Sequence, residues 1–310
     1  MRERPLALAA LLAVALAGAA CSRAGPAASQ RPAGGAGRPR LGVLAPAAAE
    51  TLALLGAADA VVAVGDWVRS PPELARLPKL GSYDAPAAER VLELGIDTLV
   101  TSASVAGRSE RAELERLGVR VVELDTSTFA GTLAAIAAVG ELVGRQREAA
   151  ELVAAIRSRL AAVARRVAGA PRPRVLAVVG REPLFVAGPG SHLDELVTLA
   201  GGDNVAADAG SAWALVSLEA MLARRPEVIL DCSDNRPGAP RGALPGAWAS
   251  WPFLPAVAAG RVFQVDPDRL TIPGPRLPEM AEAVARLLHP EIFGAPRAED
   301  FEAPAAGGAR

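Results

Sequence analysis

The sequence predicts an α/β protein of two lobes, each with a central parallel sheet flanked by helices, joined by one long rigid α-helix. Three observations predict it. Short apolar runs of strand length alternate with helical stretches in two separate sets, the pattern of parallel sheets covered by helices on both faces. A stretch without Gly or Pro, residues 147–168, lies between the sets with apolar residues at helical spacing. Finally, ERVLELGIDTLV from Glu89 aligns without a gap to EAMLARRPEVIL from Glu219, an offset of 130 that also carries Tyr83 to Trp213.

At the N-terminus, Arg2 and Arg4 precede an apolar run over residues 6–16, followed by small residues leading into Cys21. This is the order of a secretory signal, and the run is shorter than the roughly 18 residues a membrane-spanning helix needs. Small residues directly before a cysteine resemble a bacterial lipoprotein signal, in which the cysteine, here Cys21, is acylated and becomes the new N-terminus. Residues 1–20 are thus expected to be a signal peptide. Residues 21–40, rich in Ala, Gly and Pro, read as a flexible tether. Cys232 is the only other cysteine, so with Cys21 lipidated the mature chain cannot close an internal disulfide. Cys232 ends an apolar strand-like run and reads as a buried, inert thiol.

The first lobe, residues 41–146, has strand-like runs at 41–44, 61–64, 98–101 and 119–124. The connector, residues 147–168, places Leu152, Ile156, Leu160, Val163 and Val167 on one face, and 22 helical residues span about 33 Å, enough to run along both lobes. Gly169 and the prolines at 171 and 173 stop it. The second lobe, residues 169–290, has runs at 175–179, 184–186, 228–230 and 262–265. A polar, Gly/Pro/Ala-rich tail, residues 291–310, is expected to be poorly ordered.

The repeat gives each lobe an aromatic, a carboxylate six residues later, and a helix running into a buried strand. Glu89 and Glu219 therefore fall in first helical turns, where either complements the helix dipole; Ser217 is a suitable N-cap.

Signatures of catalysis are missing. There is no GxxxxGK[ST] loop, no GxSxG elbow and no HExxH, and the two histidines, His192 and His289, belong to no cluster with metal-ligand spacing. A hydrolase using one of these histidines is the competing class. A net charge of -1 offers no basic field for nucleic acid. The run GPGSHL from Gly188 lacks the third glycine of a dinucleotide fingerprint and reads as a turn into a helix capped by Ser191.

Aromatic residues make up only 4% of the chain, yet Trp67, Tyr83, Phe185 and Trp213 all fall in or beside predicted loops at strand ends, where open parallel sheets bind ligands. Four such rings suit a large, flat ligand.

These residues, with APAAAETLALLG, PPELARLPKLGSYD, ELVTLAGGDNV, VSLEAMLARRPEVIL and GRVFQVD followed by GPR, resemble the substrate-binding proteins of ABC importers for cobalamin, haem and ferric siderophores, whose two lobes are joined by one long helix. The likeness covers residues 41–290 and is greatest to the cobalamin-binding members. It implies a non-enzymatic protein without cofactor or bound structural metal, monomeric, held by its lipid anchor in the periplasm or at the cell surface, and serving a permease dimer with its ATPase. It implies further that Trp67, Tyr83, Phe185 and Trp213 grip a corrin ring and that Asp268 hydrogen-bonds its periphery, whereas Ile272 stands where the group has a ligand-contacting Arg. Glu89 and Glu219 match carboxylates that dock onto permease arginines. Haem is the alternative ligand and a ferric siderophore the next. Haem binders of the group place a Tyr ligand beside the loop glycine, but here Ser82 follows Gly81 and Tyr83 comes one place late.

Overall fold

In the first lobe, runs of Val, Leu and Thr become strands, largely buried at Leu41–Val43, Val61–Val64 and Thr98–Ser102 and partly exposed at the edge strand Arg120–Leu124. The computed structural model describes residues 38–82, 86–102, 108–236 and 238–302. Its first lobe runs β1 (Leu41–Val43), α1 (Pro46–Leu54), β2 (Val61–Val64), α2 (Pro72–Ala75), α3 (Ala88–Glu93), β3 (Thr98–Ser102), α4 (Arg108–Arg116), β4 (Arg120–Leu124) and α5 (Phe129–Leu142). The strands form a wholly parallel sheet in the order β2-β1-β3-β4. Each expected strand is present, displaced by at most a residue at its ends.

The connector is α6 (Gln146–Val167), 22 residues long. It buries Ala149, Ile156, Leu160, Val163 and Val167, while Leu152 is only half-buried. Gly169 follows with φ +82°, a left-handed conformation that Gly adopts without the Cβ penalty and that ends the helix. One apolar core runs from Leu133, Ile136 and Val139 of α5 through the buried face of α6 into the second lobe. Both lobes therefore share packing along the connector, so independent hinging would expose apolar surface.

The second lobe contains β5 (Arg174–Gly180), β6 (Phe185–Ala187), α7 (His192–Leu199), β7 (Asp203–Asn204), β8 (Trp213–Leu215), α8 (Leu218–Ala223) and β9 (Val228–Asp231), then β10 (Gly242–Ala243), α9 (Pro255–Ala258), β11 (Val262–Gln264), α10 (Pro267–Leu270), α11 (Leu277–Leu288) and α12 (Pro290–Phe293). Its sheet has the order β10-β11-β9-β5-β6-β8, with β7 also on β5. The centre is parallel as expected, but β6, β8 and β10 pair antiparallel, making this sheet mixed. Cys232 is buried and free, and burial pushes its thiol far above the usual range, the inert thiol expected.

The repeat is structural: α3 and α8, and the starts of β3 and β9, are each separated by the same offset of 130 residues. The tail departs from expectation. Through Glu302 it is docked, because Asp300 accepts from Arg286 Nη1 at 2.5 Å and Phe301 packs beside Phe263 with centroids 6.0 Å apart.

Candidate ligand-binding cleft

The carboxyl ends of both sheets face one cavity of about 410 Å³, within the range of small-molecule sites. Its first-lobe wall comes from the β1–α1 turn, the loop after β2, the ends of β3 and β4, and Thr132, Ile136 and Val139 of α5. The second-lobe wall comes from His192, Trp213, Asn235 and the segment from Asp266 to Gly274.

Among the described residues three polar contacts tie the lobes around this space. Arg276 Nε donates to Glu50 Oε2 at 2.7 Å, and both side chains are largely buried. Burial raises the Glu50 pKa, with Arg276 opposing the rise. The Phe129 N–H, at the start of α5, donates to Glu195 Oε2 at 2.5 Å, placing a carboxylate where the helix dipole favours it. Arg69 Nη1 donates to Asp268 Oδ2 at 2.9 Å. Backbones also approach closely here, since a Cβ on Gly274 would lie 3.0 Å from that of Ala47, tighter than a side chain tolerates without movement.

Trp67, Trp213 and Asp268 are brought together around the cavity, as is Ile272. Trp67 lies in the loop after β2, 43% exposed, with the Arg69 guanidinium over its ring at 5.4 Å from the centroid, within cation–π range. Trp213 lies in β8 and not in a loop; its backbone pairs with Ala187, and Phe185 pairs with Leu215. That register sets Phe185 one pair further along the same sheet face, beside the exposed Leu215 and outside the cavity lining. Asp268 occupies the first turn of α10, its N–H donating to the N-cap carboxylate of Asp266 at 2.9 Å. Tyr83 and Cys21 lie outside the described residues.

Two cavity residues of consequence, Arg69 and His192, carry little signal of that position in the sequence. Arg69 stands two places after Trp67 in a loop that leaves a strand end, the one local hint of its position. His192 supports the wall: its ring meets that of Trp213 edge-on, 5.5 Å between centroids at 61°. Its Nε2 lies 3.0 Å from the Leu270 carbonyl, so Nε2 carries the proton and donates. Desolvation lowers its pKa to about 4, opposed by the Leu270 hydrogen bond, so the imidazole is neutral at physiological pH. His289 lies outside the cavity lining, with Nε2 3.3 Å from the Gly201 carbonyl and Nδ1 3.2 Å from Glu291. Among the described residues neither histidine hydrogen-bonds a Ser, Thr or Cys side chain. Among the described residues no group of His, Cys, Asp or Glu could hold a metal ion.

Glu89 and Glu219 are both exposed, each the second residue of its helix. Ser217 caps α8 as expected, accepting from Ala220 N at 3.1 Å, and Ser191 caps α7 likewise.

Two lobes sharing a core, with an aromatic-walled cleft at their strand ends, have a counterpart in sequence: the profile described as periplasmic binding protein matches residues 42–269. The chain belongs to the periplasmic binding protein family. It is 32% identical over 197 residues to the vitamin B12-binding protein of Salmonella typhimurium, covering 62% of this chain and 71% of that one. Among solved structures, the periplasmic vitamin B12 binding protein BtuF of Vibrio cholerae aligns with a TM-score of 0.69 at 25% identity, over 81% of this chain and 96% of that chain. A periplasmic haem binding protein from Pseudomonas aeruginosa aligns with a TM-score of 0.69 at 26% identity, over 82% and 94%. The protein is therefore a substrate-binding component of an ABC importer and not an enzyme. Its place is the periplasm or the outer side of the membrane.

Proposed function

We propose that this protein captures cobalamin or a related corrinoid in the cleft and delivers it to the permease, anchored meanwhile to the membrane through a lipid on Cys21. The observation that carries the choice of ligand is the charge of the cavity. Its charged lining groups among the described residues are Arg69, Asp125, Asp266 and Asp268; Arg69 pairs with Asp268 and Arg241, behind the lining, with Asp266, which leaves Asp125 as the surplus charge. Hydrogen bonds from Ser127 hold Asp125 below the usual carboxylate range, so it stays ionised. A corrin rim carries neutral carboxamides, which such a lining can hydrogen-bond. Haem carries carboxylates, which it repels. The similarity to vitamin B12-binding proteins supports the same reading.

Trp67 and Trp213 then face the flat ring from opposite lobes, Asp268 meets its rim, Tyr83 adds apolar contact, and Phe185, outside the cavity lining, meets only a part of the ligand that reaches past Trp213. Glu89 and Glu219 are the paired charges that orient the loaded protein on the permease, an effect on encounter more than on affinity. The shared core limits lobe closure, so the cleft is largely preformed. Haem is the second reading, favoured by the likeness to the haem binding protein.

Calorimetric titration of the purified protein with cyanocobalamin, haem and a ferric hydroxamate separates the readings. One-to-one binding of cyanocobalamin is the expected result; haem binding without a cobalamin response refutes it. Replacement of Cys21 by Ser is expected to release the protein from the membrane fraction, and its retention there would rule out the anchor.

A further inference from the structure

The exposed margin of the cleft is spanned by two charges from opposite lobes. Arg69 of the first lobe and Asp268 of the second are joined by the Nη1 to Oδ2 hydrogen bond of 2.9 Å, with side chains 60% and 21% exposed. Each is held from behind. The Arg69 guanidinium lies over the Trp67 ring, and the Asp268 N–H is bonded to Asp266, whose carboxylate accepts from Arg241 Nη2 at 3.2 Å. Among the described residues this one bond is all that joins the two side chains. Asp268 thus keeps Oδ1 as an acceptor, and Arg69 keeps Nε and Nη2 as donors, on two joined residues that both line the cavity.

That arrangement is the complement of a primary carboxamide, which presents one carbonyl acceptor and one NH₂ donor group. A carboxamide can accept from Arg69 and donate to Asp268 while the ion pair stays made. A carboxylate has no donor to offer, sets its charge against Asp268, and gains from Arg69 only by competing with a partner already in place. We propose that the Arg69–Asp268 pair is a specificity determinant that selects ligands with a carboxamide at this edge over the same ligands with a carboxylate there. The inference rests on the corrinoid reading and adds Arg69, with a stated role, to its binding residues.

The test uses cyanocobalamin and its separated monocarboxylate derivatives, in each of which one rim propionamide is hydrolysed to propionate. Affinities are measured for the wild type, Asp268→Asn and Arg69→Gln, with thermal melting to verify folding. The wild type is expected to bind at least one monocarboxylate isomer about tenfold more weakly than cyanocobalamin. In Asp268→Asn the ratio for that isomer is expected to fall towards one, because the repelling charge is gone. In Arg69→Gln it is expected to widen, because Asp268 is left without its cation. Equal binding of every isomer by the wild type overturns the inference alone, as do ratios unchanged in both variants. Absence of cyanocobalamin binding to the wild type overturns the corrinoid reading and the inference with it.

Discussion

His192 links the construction of the cleft wall to a measurable pH dependence. The side chain is 2% exposed, donates to the Leu270 carbonyl and braces Trp213 edge-on. Burial disfavours the imidazolium, so the folded protein accepts this proton only near pH 4, against an ordinary value of 6.5. The unfolded chain takes it up near the ordinary value. Between those two pH values the unfolded state binds more protons, so stability is full above about pH 6.5 and is lost as the pH falls towards 4. The gap corresponds to about 3 kcal/mol. Urea unfolding of the wild type and of His192→Gln, followed from pH 7.5 to 4, isolates the contribution, because Gln retains a donor for the Leu270 carbonyl but does not titrate. The variant is expected to lose about 3 kcal/mol less than the wild type across this window. Parallel curves would refute the argument that a neutral, desolvated His192 supports the wall.

Three further outcomes are expected. Trp213→Ala removes one face of the ring site and should weaken cyanocobalamin binding roughly tenfold or more, which fluorescence titration measures. Arg276→Ala leaves Glu50 buried without its cation and should destabilise the fold by about 3 kcal/mol at pH 7; the loss should shrink in acid as Glu50 takes a proton, which thermal melts at both pH values would register. Charge reversal of Glu89 and Glu219 together should leave cyanocobalamin affinity unchanged while reducing uptake by cells carrying the importer, and undiminished uptake would remove their docking role.

The central strands of both lobes could be read from sequence because a strand buried on both faces must be apolar throughout, as Val228–Asp231 nearly is. The connector was legible for a related reason: Ile156, Leu160, Val163 and Val167 mark one helical face with nothing to interrupt it. The short strand Trp213–Leu215 was not legible. Its existence depends on antiparallel pairing with Phe185–Ala187, and no three-residue run declares a distant partner. The same limit hid the polar half of the site. Trp67 and Trp213 stood out as rare aromatics at strand ends, whereas the bond between Arg69 and Asp268 joins residues 199 apart through the meeting of two lobes. The docked tail is not legible because Asp300 and Phe301 are isolated among small and charged residues, and their partners Arg286 and Phe263 belong to other elements that no local run announces.

The decisive experiment is a crystal structure of the protein with cyanocobalamin. The corrin ring is expected between Trp67 and Trp213, a rim amide between Arg69 and Asp268, and lobes that keep the Glu50–Arg276 and Phe129–Glu195 contacts. A ring bound elsewhere, or lobes rotated far enough to break those two contacts, would contradict this reading.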